Sequence, residues 1–373
     1  MKKWGVSALF LALLALAVVF LGYLQFHHAR PVLTVVTWEG DYGHAQRSAQ
    51  IVAFGAVSGV DTLFASYNGG TKEIADQVAN KRYAWDVVDM ELPDAVAACQ
   101  SGLLEKIDPT DLPAAPDGRP AVADFVPGAI GPCWVASTVY SQVIVAAPVH
   151  FGDRAPQTLA DFFDVAHFPG KRALPRASAK LTLEMALLAD GVAPNAVYAE
   201  LSTPQGVARA LKKLDSLRGN LAWYDNPADA AAMLKDGRVA LAFMPNWAVF
   251  DADKDNPSNR LNLSIIWDRQ LYQLEVFGIP RGNPKAARAM DFVRFATSAP
   301  VLGKMTSWIA YGPARHSALG YVGPQPELKL DMKPYLPTAH FATAFRVDDG
   351  WWRLHGADVA MLWNEWLAKS DPH

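Results

Sequence analysis

The clearest hydrophobic pattern in the chain is Val32–Thr37, VLTVVT, an uncharged run of β-branched and apolar residues that reads as a buried strand. It breaks at Trp38-Glu39-Gly40-Asp41-Tyr42, where two aromatics and two carboxylates crowd around one glycine. A helix-like stretch, His44–Val57, follows, so the break is a βα turn. In open α/β sheets such turns lie at the carboxyl ends of the strands, where ligands bind. The other reading is a surface turn with a buried Trp.

The alternation continues. Asp61–Tyr67 reads as a strand, Asn68–Thr71 as a turn, and Lys72–Lys81 as a helix with Thr71 at its cap. Trp85–Glu91 reads as a third strand and Pro93–Gly102 as a helix, followed by a short return at Leu103–Asp108. Pro109–Pro127, rich in Pro, Asp and Ala, reads as a surface loop. Trp134–Ala146 is a β-type run longer than a usual strand, long enough to pass from one domain to another. A second α/β series then begins. Helices are expected at Pro156–Phe163, Leu181–Asp190, Pro204–Leu217, Pro227–Lys235 and Lys285–Thr297. Strands are expected at Lys171–Leu174, Leu221–Tyr224, Val239–Met244, Ile265–Trp267 and Tyr272–Ile279, the last again long enough to cross. A final helix, Ala357–Lys369, carries Val359, Leu362, Trp363 and Trp366 on one stripe, which is core packing. Repeated βα alternation predicts mostly parallel sheets flanked by helices. Two such units joined by two crossovers predict a bilobal α/β protein with a cleft and a hinge.

Composition narrows the function. The chain has 373 residues, 51% hydrophobic and 19% charged, with a formal net charge of −3, so no basic field points to nucleic acid. Lys2 and Lys3 precede an apolar run over Trp4–Phe26, the form of an export signal. The run is as long as a membrane span and lacks a good cleavage site, so residues 1–30 read as a signal peptide or as an uncleaved anchor. Either places the rest of the chain outside the membrane, in a periplasmic or extracytoplasmic space. The two cysteines, Cys99 and Cys133, are then a disulfide candidate, with two buried free thiols as the alternative.

Asp89 and Glu91 are alternate residues of a strand, so both point to one face and call for a cation or for water. Asp225 reads equally as a cleft residue or as a helix cap. The histidines have no metal-ligand spacing and the serines no GxSxG context, so neither a metal site, a cofactor nor an enzyme is expected.

With these segments placed, the chain resembles the periplasmic solute-binding proteins of ABC importers, in particular the spermidine/putrescine-binding group. The stretches that carry the resemblance are VVTWEGDYG at Val35–Gly43, YNGGTKEI at Tyr67–Ile74, WDVVDMEL at Trp85–Leu92 and TLADFFDVAHFPGKRAL at Thr158–Leu174. LKDGRVALAF at Leu234–Phe243, YGPARHSAL at Tyr311–Leu319 and WWRLHGADVAMLWNEWLA at Trp351–Ala368 complete it. The resemblance covers Val32–Lys369 and implies a type II binding-protein fold without catalysis. It implies one lobe over 32–138 plus 277–320 and the other over 139–276 plus 321–373. It further implies a polyamine-like ligand, a monomer, and an ABC permease and ATPase as partners. The implied ligand-binding residues are Trp38, Glu39, Tyr42, Glu91, Trp223, Asn246, Trp247, Glu275 and Tyr311, a set of aromatic faces and carboxylates suited to an amine. One departure stands out: Lys180 occupies a region where polyamine binders place acidic residues, and an inward Lys180 would repel an amine, so the alternatives are a different cation, a shorter diamine or an amino-acid-like solute on the same fold, or a membrane-anchored sensor or scaffold. Arg315 reads as an ion-pair residue or as a grip for a ligand carboxylate.

Overall fold

A computed structural model describes residues 30–151, 154–254 and 263–370. The expected signal or anchor lies outside the described residues. Among those described, no helix is long and apolar enough to cross a membrane.

The VLTVVT run is strand β1 (Val32–Thr37), with Leu33, Val35 and Val36 buried. It pairs in parallel with β2 (Asp61–Ser66) on one side and β3 (Val87–Glu91) on the other. The two crossing runs are β4 (Val135–Ala146) and β8 (Ser264–Gly278), antiparallel to each other along most of their length. Beyond β4 lie β7 (Leu241–Pro245), β5 (Arg172–Pro175) and β6 (Leu221–Tyr224), the last three mutually parallel. All belong to one sheet of order β2-β1-β3-β8-β4-β7-β5-β6; β9 (Gly312–Pro313) pairs with β4 and β10 (Phe345–Arg346) with β8. Each lobe is thus a parallel trio of strands, and the two trios are joined through the shared antiparallel pair β4–β8. The expected Ile265–Trp267 and Tyr272–Ile279 strands are one continuous strand. Their separating residues, Asp268–Leu271, belong to the same strand, with a local irregularity of the β4–β8 ladder where Arg269 adopts a φ of +50°.

The helices confirm most of the pattern. Those used below are α1 (Gly40–Gln46), α2 (Val52–Ser58), α3 (Lys72–Asn80), α4 (Leu92–Gln100), α5 (Thr182–Ala189), α6 (Pro204–Asp215), α7 (Pro227–Lys235), α8 (Asn246–Lys254), α9 (Ala286–Ala296), α10 (Ala299–Met305) and α11 (Asp349–Ser370). A π-helical turn, Arg47–Ile51, joins α1 to α2. One core gathers Val35, Val88, Val135, Phe277 and Phe292 in the first lobe; another gathers Leu174, Leu187, Phe243 and Trp363 in the second.

Four expectations need correction. The helix expected at Pro156–Phe163 is only a short 3-10 turn at Ala160–Phe163. The helix after β1 starts at Gly40, not His44, which places Asp41 and Tyr42 inside its first turn. Pro109–Pro127 is not a solvated loop: Leu112 and Val126 are buried, and buried Asp124 pairs with Arg315 at 3.0 Å. On α11 the inward stripe is Val359, Trp363 and Trp366, spaced i, i+4, i+7, and Leu362 falls one step off it and is exposed. Arg315 resolves to the ion-pair reading, since its guanidinium also donates to the carbonyls of Thr297 and Pro113.

Cys99 and Cys133 form a disulfide, with Cα atoms 5.8 Å apart. It ties α4 to the segment that leads into β4, closing a chain separation of 34 residues. The chain-entropy contribution for a loop of this size is about 3–4 kcal/mol. Replacing both cysteines by Ala should lower the unfolding free energy by that order. Equal denaturant midpoints for the variant and the wild type would show that the bond adds no stability.

Candidate functional site

The carboxyl ends of β1 and β3 open toward the crossing strands, and the pattern seen in the sequence converges there. Trp38 follows β1 directly. Its backbone carbonyl lies so close to Gly43 that a Cβ there would approach to 2.1 Å, so only glycine lets α1 fold back over the strand end. This close return brings Tyr42 over the sheet.

On the sheet itself, register decides the chemistry. Glu91 of β3 stands directly opposite Glu275 of β8, and Thr138 of β4 is the next partner across. Directly opposed residues share a face and place their Cβ atoms roughly 4.5–5.5 Å apart, and like charges so placed are destabilising. Asp89 lies two residues before Glu91 and faces the same side. Three carboxylates thus meet at one place.

Each has an aromatic partner. Trp38 Nε1 donates to Glu275 Oε2 at 3.0 Å, and Tyr140 OH donates to Glu91 Oε1 at 3.1 Å. Tyr42 OH donates to Asp89 Oδ2 at 2.8 Å, and the Gln46 amide donates to the same oxygen. Thr138 Oγ1 is 3.2 Å from the Tyr42 hydroxyl. The rings also support one another: Trp38 stacks on Tyr67 at 5.6 Å, and Tyr311 meets Tyr42 at 5.1 Å and Tyr140 at 5.7 Å.

Burial dominates the titration of all three acids. It pushes the Asp89 carboxyl up to about 7, against the pull of the bonds from Tyr42 and Gln46. It pushes Glu275 well above the usual carboxylate range, and the neighbouring charges of Asp89 and Glu91 add to this. It raises Glu91 as well, opposed by the Tyr140 bond and by the charge of Lys180. A buried group pays for its charge unless a counter-charge arrives.

A cavity of about 250 Å3 opens here, lined by Trp38, Glu39, Tyr42, Glu91, Glu275 and Tyr311. These six come together from four separate stretches of chain. The other three expected residues lie elsewhere. Trp223 packs edge-on against Trp363 and Trp366 of α11, because its position in β6 faces that helix while Tyr224 takes the opposite face. Asn246 is fully buried, and its side chain is spent on backbone groups: it accepts from Ser141 N at 2.8 Å and donates to the Ala310 and Tyr335 carbonyls. Trp247 joins the apolar cluster of Phe250, Met332 and Tyr335. Asp225 is exposed, and the cap of α7 is Asn226, whose Oδ1 accepts from Asp229 N at 3.1 Å. Lys180 is held by Asp349, with Nζ to Oδ1 at 2.7 Å.

Sequence reasoning left out Tyr67, Thr138 and Tyr140 from the site. The last two are alternate residues of β4, so their shared face was open to the same argument that paired Asp89 with Glu91. Tyr67 carried no such signal, because only the parallel pairing of β1 with β2, Thr37 beside Ser66, brings Trp38 to it.

A two-lobed α/β frame with a ligand-sized cleft at its crossing strands is the architecture of a binding protein. Residues 51–331 match the family of bacterial extracellular solute-binding proteins, and the chain belongs to that family. These are extracytoplasmic solute-binding components of ABC transporters, not enzymes. The chain is 35% identical over 337 residues to the gamma-aminobutyric acid-binding protein of Pseudomonas aeruginosa, covering 90% of this chain and 91% of that protein. Its fold matches the Atu4243-GABA receptor at 25% identity with a TM-score of 0.71, over 92% of this chain and 99% of that one. It also matches the Agrobacterium tumefaciens B6 protein MotA in complex with glucopine, at 26% identity and TM-score 0.66, over 90% and 99% of the two chains.

The raised pKa of Asp89 has a sign that can be measured. Between about 4 and about 7 the folded protein keeps a proton on Asp89 that the unfolded chain has lost. Protons bound to the folded state favour it, so this contribution is greatest on the acid side and fades as pH rises through about 7. Unliganded wild type should therefore lose stability relative to Asp89→Asn from pH 5 to pH 8, by on the order of a few kcal/mol. Thermal melts of both proteins across that range check this, and parallel curves would show that Asp89 does not titrate there.

Proposed function

We propose that the protein is the solute-capturing subunit of an ABC importer, and that its cleft takes a small solute by an ammonium group. The observation that carries this reading is the opposition of Glu91 and Glu275 across β3 and β8. A buried and a half-buried carboxylate in that register repel until a cation lies between or beside them, and an ammonium supplies both the charge and the hydrogen-bond donors. Trp38, Tyr42 and Tyr311 give flat faces for the methylenes and a cation–π surface for the ammonium.

Within this reading an ω-amino acid of the γ-aminobutyrate type ranks ahead of a polyamine. The cavity of about 250 Å3 is below the roughly 300–1,000 Å3 of drug-sized sites, which favours a short solute. Two relatives are named for γ-aminobutyrate. Residues 32–138 plus 277–320 then act as one closing lobe and 139–276 plus 321–373 as the other, hinged on β4 and β8. Residues 1–30 direct export, and a membrane permease receives the solute.

Calorimetry with γ-aminobutyrate, putrescine and spermidine tests the ligand. Wild type should bind γ-aminobutyrate, and Glu275→Gln should weaken it roughly 10- to 100-fold, the range for a charged hydrogen bond. No heat with any amine would remove the substrate class, and equal affinity of the variant would remove Glu275 from the site. Solution scattering should show a smaller radius of gyration at saturating ligand; identical profiles would count against closure.

A further inference from the structure

Tyr140 is not among the residues that line the cavity, yet its hydroxyl is bonded to one of the two glutamates that face each other there. We propose that Tyr140 is a positioning residue of the site: it fixes the Glu91 carboxylate opposite Glu275, so that each glutamate keeps one oxygen for the same ammonium. This rests on the amine reading above.

The carboxylate oxygens divide evenly. Trp38 Nε1 takes Glu275 Oε2, and Tyr140 OH takes Glu91 Oε1. Among the described residues nothing bonds to Glu275 Oε1 or Glu91 Oε2, and neither oxygen is sealed from solvent. Both side chains line the cavity. Asp89 differs: its Oδ2 is taken by Tyr42 and Gln46, and its Oδ1 is enclosed. The cavity therefore offers two carboxylate oxygens, one from each facing glutamate, and a primary ammonium has N–H donors for both.

Glu91 stands where its side chain has a competing use. It is the last residue of β3 and the N-cap of α4, the place from which a side-chain oxygen can accept from the second or third helical N–H. It makes no such bond. Pro93 is the second helical residue and has no N–H, which removes one of the two donors. The carboxylate is released from its own helix, and Tyr140 holds it at 3.1 Å.

A bulge aims Tyr140 at this task. On β4, Ala136 stands opposite Val276 and Thr138 opposite Glu275, so Ser137 is an extra residue in the ladder. Without that extra residue Ser137 would take the place opposite Glu275, and Tyr140 would turn to the other face of the sheet, because a one-residue shift flips every side chain. With it, Thr138 and Tyr140 share the face of Glu275 and Glu91, and Tyr140 reaches across β8. Ser137 is buried and anchored. Its Oγ accepts from Gln50 Nε2 at 3.3 Å, and its carbonyl accepts from Ala314 N at 3.2 Å. The Ala314 bond extends the pairing of β4 with β9, which sets Tyr311 against Tyr140 at 5.7 Å. Bulges that re-aim a side chain are a recurrent device beside functional sites, and this one turns a single hydroxyl onto Glu91.

Affinities of γ-aminobutyrate and putrescine for wild type, Tyr140→Phe, Glu91→Gln and the double variant test the proposal. With whichever amine wild type binds, Tyr140→Phe should weaken binding about tenfold, the scale of a lost hydrogen bond to a charged group. Glu91→Gln removes the charge that Tyr140 serves, so adding Tyr140→Phe to it should cost less than about twofold. A purely structural role would cost the same factor in both backgrounds and lower the melting temperature. Equal factors, an unchanged affinity in Tyr140→Phe, or a Tyr140→Phe protein that does not fold overturns the Tyr140 assignment alone, with amine binding by wild type still standing. Wild type that binds neither solute overturns the amine reading along with it.

Discussion

Two glutamates face each other across a pair of antiparallel strands, and much of the molecule can be read from what that arrangement requires. Glu91 and Glu275 are 184 positions apart by the numbering, yet β3 and β8 hold them in direct register. Like charges so placed are unfavourable, and burial makes them more so. The structure answers with donors: Trp38 for Glu275, Tyr140 for Glu91, and Tyr42 with Gln46 for Asp89 behind them. These donors soften the charge without cancelling it. What is left is a preorganised demand for a cation, surrounded by aromatic rings already locked by their own hydroxyl and indole bonds.

The register itself depends on the crossing strands. β8 runs 15 residues and β4 runs 12, and each pairs in the first lobe at one end and in the second lobe at the other. Glu275 and Thr138 sit in the half of this pair that faces the first lobe, so they stay with β3 through any motion of the second lobe. The disulfide between Cys99 and Cys133 reinforces the same half, because it fastens α4, which follows Glu91, to the segment that enters β4. The acidic side of the cleft is therefore tied into one paired and cross-linked core. Lys180, outside this half, is fixed to α11 through its pair with Asp349.

The buried charges divide into two kinds. Arg315 with Asp124, and Lys285 with Asp86 at 2.9 Å, are complete pairs that tie loops and helices to the first-lobe core. Removing one partner from such a pair would strand a buried charge, so their contribution is to uniqueness of packing more than to net stability. Among the described residues, Asp89, Glu91 and Glu275 have no cationic partner in a salt bridge of this kind. That contrast separates the site from the scaffold more sharply than burial or residue type does.

The sequence by itself determined the alternation of strands and helices, the two long crossing runs and the bilobal α/β class, because strand and helix periodicity are local properties of the chain. It also placed Trp38, Glu39, Tyr42, Glu91, Glu275 and Tyr311 at strand ends and crossovers through the family resemblance, and those six line one cavity. What it left open was which face each side chain takes once strands are paired. Trp223 and Tyr224 are neighbours on β6, and only the packing of α11 decides that Trp223 turns away from the cleft. Asn246 has the chemistry of a ligand contact, but the backbone groups of Ser141, Ala310 and Tyr335 reach it first. The direct opposition of Glu91 and Glu275 was beyond any local signal, since register between strands so distant in the chain is set by the tertiary fold alone. Periodicity says which residues can share a face; only the assembled sheet decides which of them meet.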